Sequence, residues 1–175
     1  VRASIHMSQP LNAHIILGLD PGLRHCGWGV ISMMGNRLRY VANGRISPPT
    51  TRTIGQRLAI LESGLVDLLD RHNINTVAVE QTFQNTNPQA TIALGMARGI
   101  CLMVPAKYGL ETTDYAPNTI KKSLVGKGHA DKSQVEMMVK RLLVGVKAEA
   151  SDEFDALAIA ICHAHHWQFN SVTGQ

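Results

Sequence analysis

The chain has 175 residues, 45% of them hydrophobic and 17% charged, with 17 Lys and Arg against 13 Asp and Glu for a formal net charge of +4. That is enough apolar chain to close one core without disulfides or a structural metal, and too little charge for a disordered protein. No run reaches the roughly 18 apolar residues of a membrane span, and Cys26, Cys101 and Cys162 stand too far apart for a C-x-x-C motif or a disulfide framework. A cytoplasmic protein with no membrane partner is expected.

Residues 1–12 lack the regions of a signal peptide, and His6-Met7 resembles a join between vector residues and a start, so a partly vector-derived, disordered leader is expected ahead of one domain over 13–167 and a tail over 168–175. Ile15 to Asp20, Gly27 to Met34 and Leu38 to Ile46 read as strands, the last two joined by a turn at Gly35-Asn36 and therefore antiparallel. Ser47-Pro48-Pro49 breaks the sheet. Leucines at 58, 61, 65, 68 and 69 then predict a helix within Thr53 to His72. Thr76 to Glu80 is a fourth strand, followed by a loop to Pro88, a helix from Gln89 to about Tyr108, and a fifth strand from Leu110 to Tyr115. Pro117 opens a short helix at its N1-like position. A loop at Gly126 to His129 precedes a helix from Lys132 to Leu143, and a last helix runs from an N-cap at Ser151 to about His166. Three antiparallel strands followed by strand-helix-strand crossovers give a five-stranded mixed sheet with helices on both faces, the α/β arrangement termed RNase H-like.

Four carboxylates stand out against this plan. Asp20 and Glu80 end the apolar runs Ile15 to Leu19 and Thr76 to Val79, and Asp152 and Asp155 lie three residues apart in the first turn of the last helix, leaning to one side. Acids are seldom buried unless paired or bound to metal, so a fold that brings these ends together should hold a hard divalent cation. Three of the four also have a plain structural reading, since Asp20-Pro21-Gly22 is a turn former and Asp152 and Asp155 sit where acids favour the first turn of a helix, whereas Glu80 is harder to dismiss at a strand end where α/β sheets place ligands. Basic residues are concentrated nearby. From Arg98 to Glu149 nine Lys and Arg face five acids, whereas 150–175 holds three acids and no Lys or Arg. His163, His165 and His166 do not suggest zinc, because only His163 and His166 share a face and no further ligand is evident.

The segments LGLDPGLRHCGWGV, AVEQTF, GMARG, VGKGHADKSQV and DEFDALAIAICH, in this order, closely resemble the RuvC family of Holliday junction resolvases, from about Ile15 to His166. The resemblance implies a homodimeric endonuclease that cuts two opposed strands of a four-way DNA junction during recombination and repair, in cooperation with a branch-migration helicase complex. It places the catalytic, metal-binding carboxylates at Asp20, Glu80, Asp152 and Asp155, with two Mg²⁺ ions per site and Mn²⁺ as a substitute. Some relatives have a histidine where this chain has Asp152. Lys121 and Lys132 match lysines near the scissile phosphate, with Lys122 and Lys127 as further DNA-contacting candidates. Phe83 matches an aromatic that stacks on an exposed base, worth roughly 1 to 3 kcal/mol. Arg98 is read either as a DNA contact or as a helix-surface salt bridge. Gly95 and Gly99, one turn apart, admit close approach of a helix, from a partner subunit or from the chain's own sheet. The alternatives are another RNase H-like nuclease acting on RNA–DNA hybrid, or a catalytically silent junction-binding module. An actin-like ATPase would need a second such domain and a second phosphate loop.

Overall fold

The computed structural model describes residues 13–81 and 87–173. Five strands, β1 (His14–Asp20), β2 (Cys26–Met34), β3 (Arg37–Ile46), β4 (Thr76–Glu80) and β5 (Glu111–Tyr115), form one sheet in the order β3-β2-β1-β4-β5. β2 is antiparallel to β1 and β3, while β1, β4 and β5 run parallel. The β2–β3 hairpin turns at Gly35-Asn36, with Gly35 at φ 55°; a Cβ there would be strained.

Alternation in β1 and β4 sorts two cores. Ile15, Leu17, Leu19, Val77 and Val79 face α1 (Ile54–Arg71) and α2 (Pro88–Lys107), meeting Leu61, Leu65, Ala97, Cys101 and Val104. Ile16 and Ala78 face α5 (Ser151–Thr173), which α3 (Pro117–Val125) and α4 (Lys132–Leu142) cover from outside. The helices start where side chains can satisfy free N–H groups. Thr53 with Gln56 and Asp131 with Gln134 form capping boxes, and Asn87 accepts from the N–H groups of Gln89 and Ala90. α3 begins on Pro117 and ends at Gly126, whose φ of 78° closes a left-handed C-terminal turn.

Three glycines seat α5 on the sheet. A Cβ at Gly18 would lie 2.1 Å from the Ala156 carbonyl oxygen, one at Gly27 2.0 Å from that of Asp152, and one at Gly29 2.7 Å from Leu157. These positions set the depth at which the helix carrying Asp152 and Asp155 crosses β1 and β2.

Two features differ from expectation. The last helix continues to Thr173 and does not stop near His166; no Gly or Pro interrupts the chain before Gly174. Ser151 is the first helical residue and not a side-chain cap; Glu153 takes that role, its Oε2 accepting from the N–H groups of Glu149 and Ala150. The histidine cluster is a packing device. His163 is buried, its ring nitrogens 3.0 Å from the Tyr115 hydroxyl and 3.1 Å from Thr76 Oγ1, and burial, assisted by His14 and His166, lowers its pKa to about 4. The three cysteines are free and buried. By length and composition α2 alone, among the described helices, is apolar enough to cross a membrane. Only one side of it is used by the core: Ala97, Cys101 and Val104 are buried, while Ile92, Met96 and Met103 are exposed.

Candidate active site

The parallel strands β1 and β4 end side by side, with Leu19 registered to Val79. Asp20 and Glu80 therefore emerge together on the α5 face, and Glu80 is registered in turn to Tyr115. The first turn of α5 lies over the same sheet end because Gly27, registered to Asp20, lets the Asp152 backbone approach. Asp20, Glu80, Asp152 and Asp155 thus line one cavity of about 360 Å³, together with Lys121 from α3 and Lys132 from α4, over a floor that includes Ile120, Val135 and Ile159. All four sequence-derived carboxylates are brought together, and two of the candidate lysines flank them.

The electrostatics are those of crowded negative charge. Burial, joined by the charges of Glu80 and Asp155, pushes Asp20 up to about 8, and Glu80 is hydrogen-bonded to Asp20. Burial also raises Glu80, with Asp155 adding to the shift and Lys121 and Lys132 opposing it. Asp155 is raised by burial and held back by Lys132. Lys132 Nζ donates to Ser151 Oγ at 3.0 Å and to Asp155 Oδ2 at 3.4 Å, and Ser151 Oγ donates to the same carboxylate oxygen at 3.4 Å. Asp152 Oδ2 lies 3.9 Å from Arg45 Nη1.

A donor set of carboxylate oxygens alone suits a hard cation such as Mg²⁺ better than zinc or copper. As the side chains stand, no three His, Cys, Asp or Glu among the described residues are gathered closely enough to hold an ion. Asp20 and Glu80 already meet, whereas Asp155 is turned to Lys132 and Ser151. The donors fit a divalent ion in kind, and Asp155 must exchange its lysine contact to join.

The raised carboxylate has a consequence for stability. Asp20 titrates at about 8 in the fold against an ordinary value of 3.8, so between those values the folded chain keeps a proton that the unfolded chain releases. Stability from this group is complete below the unfolded value and lost as pH rises through the folded one. Buried His163, lowered to about 4, contributes with the opposite sign in both proteins, so it is relative to D20N that the melting temperature of the cation-free wild type is expected to fall from about pH 4 to about pH 8. Calorimetry of both proteins across the range in a chelator checks this; a wild-type slope retained in D20N would assign the titration elsewhere.

The remaining candidates divide. Phe83 lies outside the described residues. Lys122 and Lys127 are exposed and do not line the cavity. Arg98 takes the salt-bridge alternative, its Nη2 2.6 Å from Asp114 Oδ2. Gly95 and Gly99 face away from the sheet, since a Cβ at either meets nothing within 4 Å. Sequence reading missed two participants. Ser151 reads in the sequence as a helix cap, and Arg45 sits in a polar edge strand where nothing in the sequence distinguishes it.

A five-stranded mixed sheet with acids at the ends of two central strands and on the helix that crosses them defines an RNase H-like domain with an all-carboxylate site. The profile of the crossover junction endodeoxyribonuclease RuvC family matches residues 16–163, and the chain belongs to that family. The RuvC protein of Bradyrhizobium diazoefficiens is 50% identical over 153 residues, 87% of each chain, and that of Rhodopseudomonas palustris is 52% identical over 151 residues, 86% of this chain and 87% of its own. Among known structures, T. thermophilus RuvC in complex with a Holliday junction substrate superposes with a TM-score of 0.84 at 28% identity, covering 90% of this chain and 97% of that one. The yeast mitochondrial Holliday junction resolvase shares the fold at a TM-score of 0.65 and 14% identity, over 90% of this chain and 82% of its own.

Proposed function

We propose that this chain resolves four-way DNA junctions by hydrolysing phosphodiester bonds in two opposed strands, with Asp20, Glu80, Asp152 and Asp155 holding divalent cations. The convergence of four carboxylates from three elements in one lysine-flanked cavity carries this reading, and family membership supplies the substrate class. Two bound Mg²⁺ ions, or Mn²⁺ in their place, would acidify the attacking water and neutralise charge on the departing 3′-oxygen. The chain's own groups do the rest. Asp20 and Glu80, fixed at adjacent strand ends, are the rigid half of the ligand set, and Asp152 and Asp155 are the helical half. Lys132, on releasing Asp155, is placed to hold a phosphate oxygen from one side of the cavity, with Lys121 beside it.

Cutting two opposed strands calls for two sites in fixed relation, and the outer side of α2 offers a surface for a second copy. Ile92, Met96 and Met103 are exposed at helical spacing, and the open glycines at 95 and 99 let a like helix approach closely. M96E is expected to yield a monomer by analytical ultracentrifugation and to cut junctions in one strand at a time. A dimer unchanged by M96E would place the self-association surface elsewhere.

The reading is tested by incubating labelled four-way junction, matched linear duplex and RNA–DNA hybrid with the protein and Mg²⁺. Paired incisions confined to the junction are expected. Cleavage of the hybrid alone would make the chain a different RNase H-like nuclease, and junction binding without incision would make it a silent binding module.

A further inference from the structure

The row of registered residues across the end of the sheet continues beyond the carboxylates. Asp20 pairs with Gly27, and Gly27 with Arg45 on the edge strand, so Arg45 projects from the face that carries Asp20 and Glu80. Its guanidinium stands 3.9 Å from both Asp152 and Glu153, and its side chain is 39% exposed. Those separations are too long for hydrogen bonds, which leaves its donors available. Next to it the β1–β2 turn presents Arg24 and His25, both exposed. The turn is held firmly. A Cβ at Gly22 would lie 2.1 Å from the His25 carbonyl oxygen, Arg57 Nη2 donates to the Leu23 carbonyl at 3.0 Å, and His25 Nδ1 lies 2.9 Å from Ser47 Oγ, two residues past Arg45.

Along this turn runs a groove of about 380 Å³ walled by Arg24, His25, Arg57 and the first turns of α2, and Asp152 forms part of its wall. Asp152 also lines the carboxylate cavity. The two depressions therefore share a wall and make one track across the end of the sheet. Lys121 and Lys132 line its carboxylate centre, Arg24 lines the groove beyond Asp152, and Arg45 stands beside Asp152 where the two meet. A strand whose phosphates repeat at regular intervals can cross such a track with one phosphate at the carboxylates and its neighbours on cations to either side. Arginine suits that task because its planar fork meets phosphate oxygens in pairs.

We propose that Arg24 and Arg45 bind phosphates of the cut strand on the side of the carboxylates away from Lys121 and Lys132, so that the strand is gripped on both sides of the scissile bond. The proposal rests on the nuclease reading above. Its test is equilibrium binding of labelled junction in EDTA, which prevents incision, as KCl is raised from about 50 to about 200 mM. R24Q and R45Q are each expected to flatten the slope of log affinity against log salt by about 1, the signature of one lost phosphate contact. R24K and R45K should restore it. R71Q removes the same charge from an exposed arginine at the far end of α1 and should leave the slope unchanged. Wild-type slopes in both R24Q and R45Q would overturn the proposal while wild-type incision left the nuclease reading standing. A wild-type protein that neither binds nor cuts junctions would overturn that reading instead. If R45Q lowers the melting temperature and the cutting rate but keeps the slope, Arg45 only anchors α5 and its part of the proposal fails.

Discussion

D20N is expected to cut junction DNA about a thousandfold more slowly than the wild type or worse, a barrier increase of roughly 4 kcal/mol, while still binding junctions. Asparagine keeps the shape of the side chain and one oxygen but removes the charge that attracts a cation. At the end of β1, Asp20 meets Glu80 and shares the cavity with Asp152 and Asp155, so no neighbouring acid can move into its place without leaving its own. Binding should survive because the cations proposed to meet the phosphates lie on α3, α4, the β1–β2 turn and β3. E80Q should behave alike. Loss of folding or of junction binding in these variants would make the acids structural.

G18A is expected to destabilise the fold by about 3 kcal/mol, or about 10 °C in melting temperature, and to lower cutting further than the stability loss explains. The new methyl would lie 2.1 Å from the Ala156 carbonyl oxygen and 2.7 Å from the Ala160 nitrogen. Both are backbone atoms of a helix packed on its other side by α3 and α4, so relief requires moving α5 itself. Asp152 and Asp155 move with that helix, whereas Asp20 and Glu80 are fixed in the sheet, and the ligand set is pulled apart. G55A is the control, because a Cβ there meets nothing within 4 Å. Thermal melts with cutting rates measured well below each midpoint separate the two effects. Wild-type stability in G18A would show that α5 is not seated as described.

These two sites differ in how visible they are in the sequence. Asp20 and Glu80 are legible because a charge directly after an apolar, β-branched run can only be a strand end, and the antiparallel opening is legible from Gly35-Asn36 between two such runs. Gly18, Gly27 and Gly29 lie inside strands, where a glycine reads as a weak point; only the packed helix reveals that each is a seat for backbone. Arg45 belongs to the same class of hidden residue. Its meaning depends on the row Asp20, Gly27, Arg45, and a row across a sheet exists only once strand order and register are set. Ser151 and Arg98 show the reverse problem. A serine at a helix start and an arginine on a helix surface each admit a local role and a long-range one, and the partners that decide, Lys132 for the serine and Asp114 for the arginine, lie on other elements of the fold.

The most direct test of the account is the dependence of junction incision on divalent cation. Purified protein stripped with chelator should leave a labelled four-way junction intact, begin paired incision when Mg²⁺ or Mn²⁺ is restored, and show no such recovery in D20N. Incision that persists in chelator, or that returns in D20N on adding the ion, would mean that the carboxylates at the end of β1 and β4 are not the centre of the chemistry.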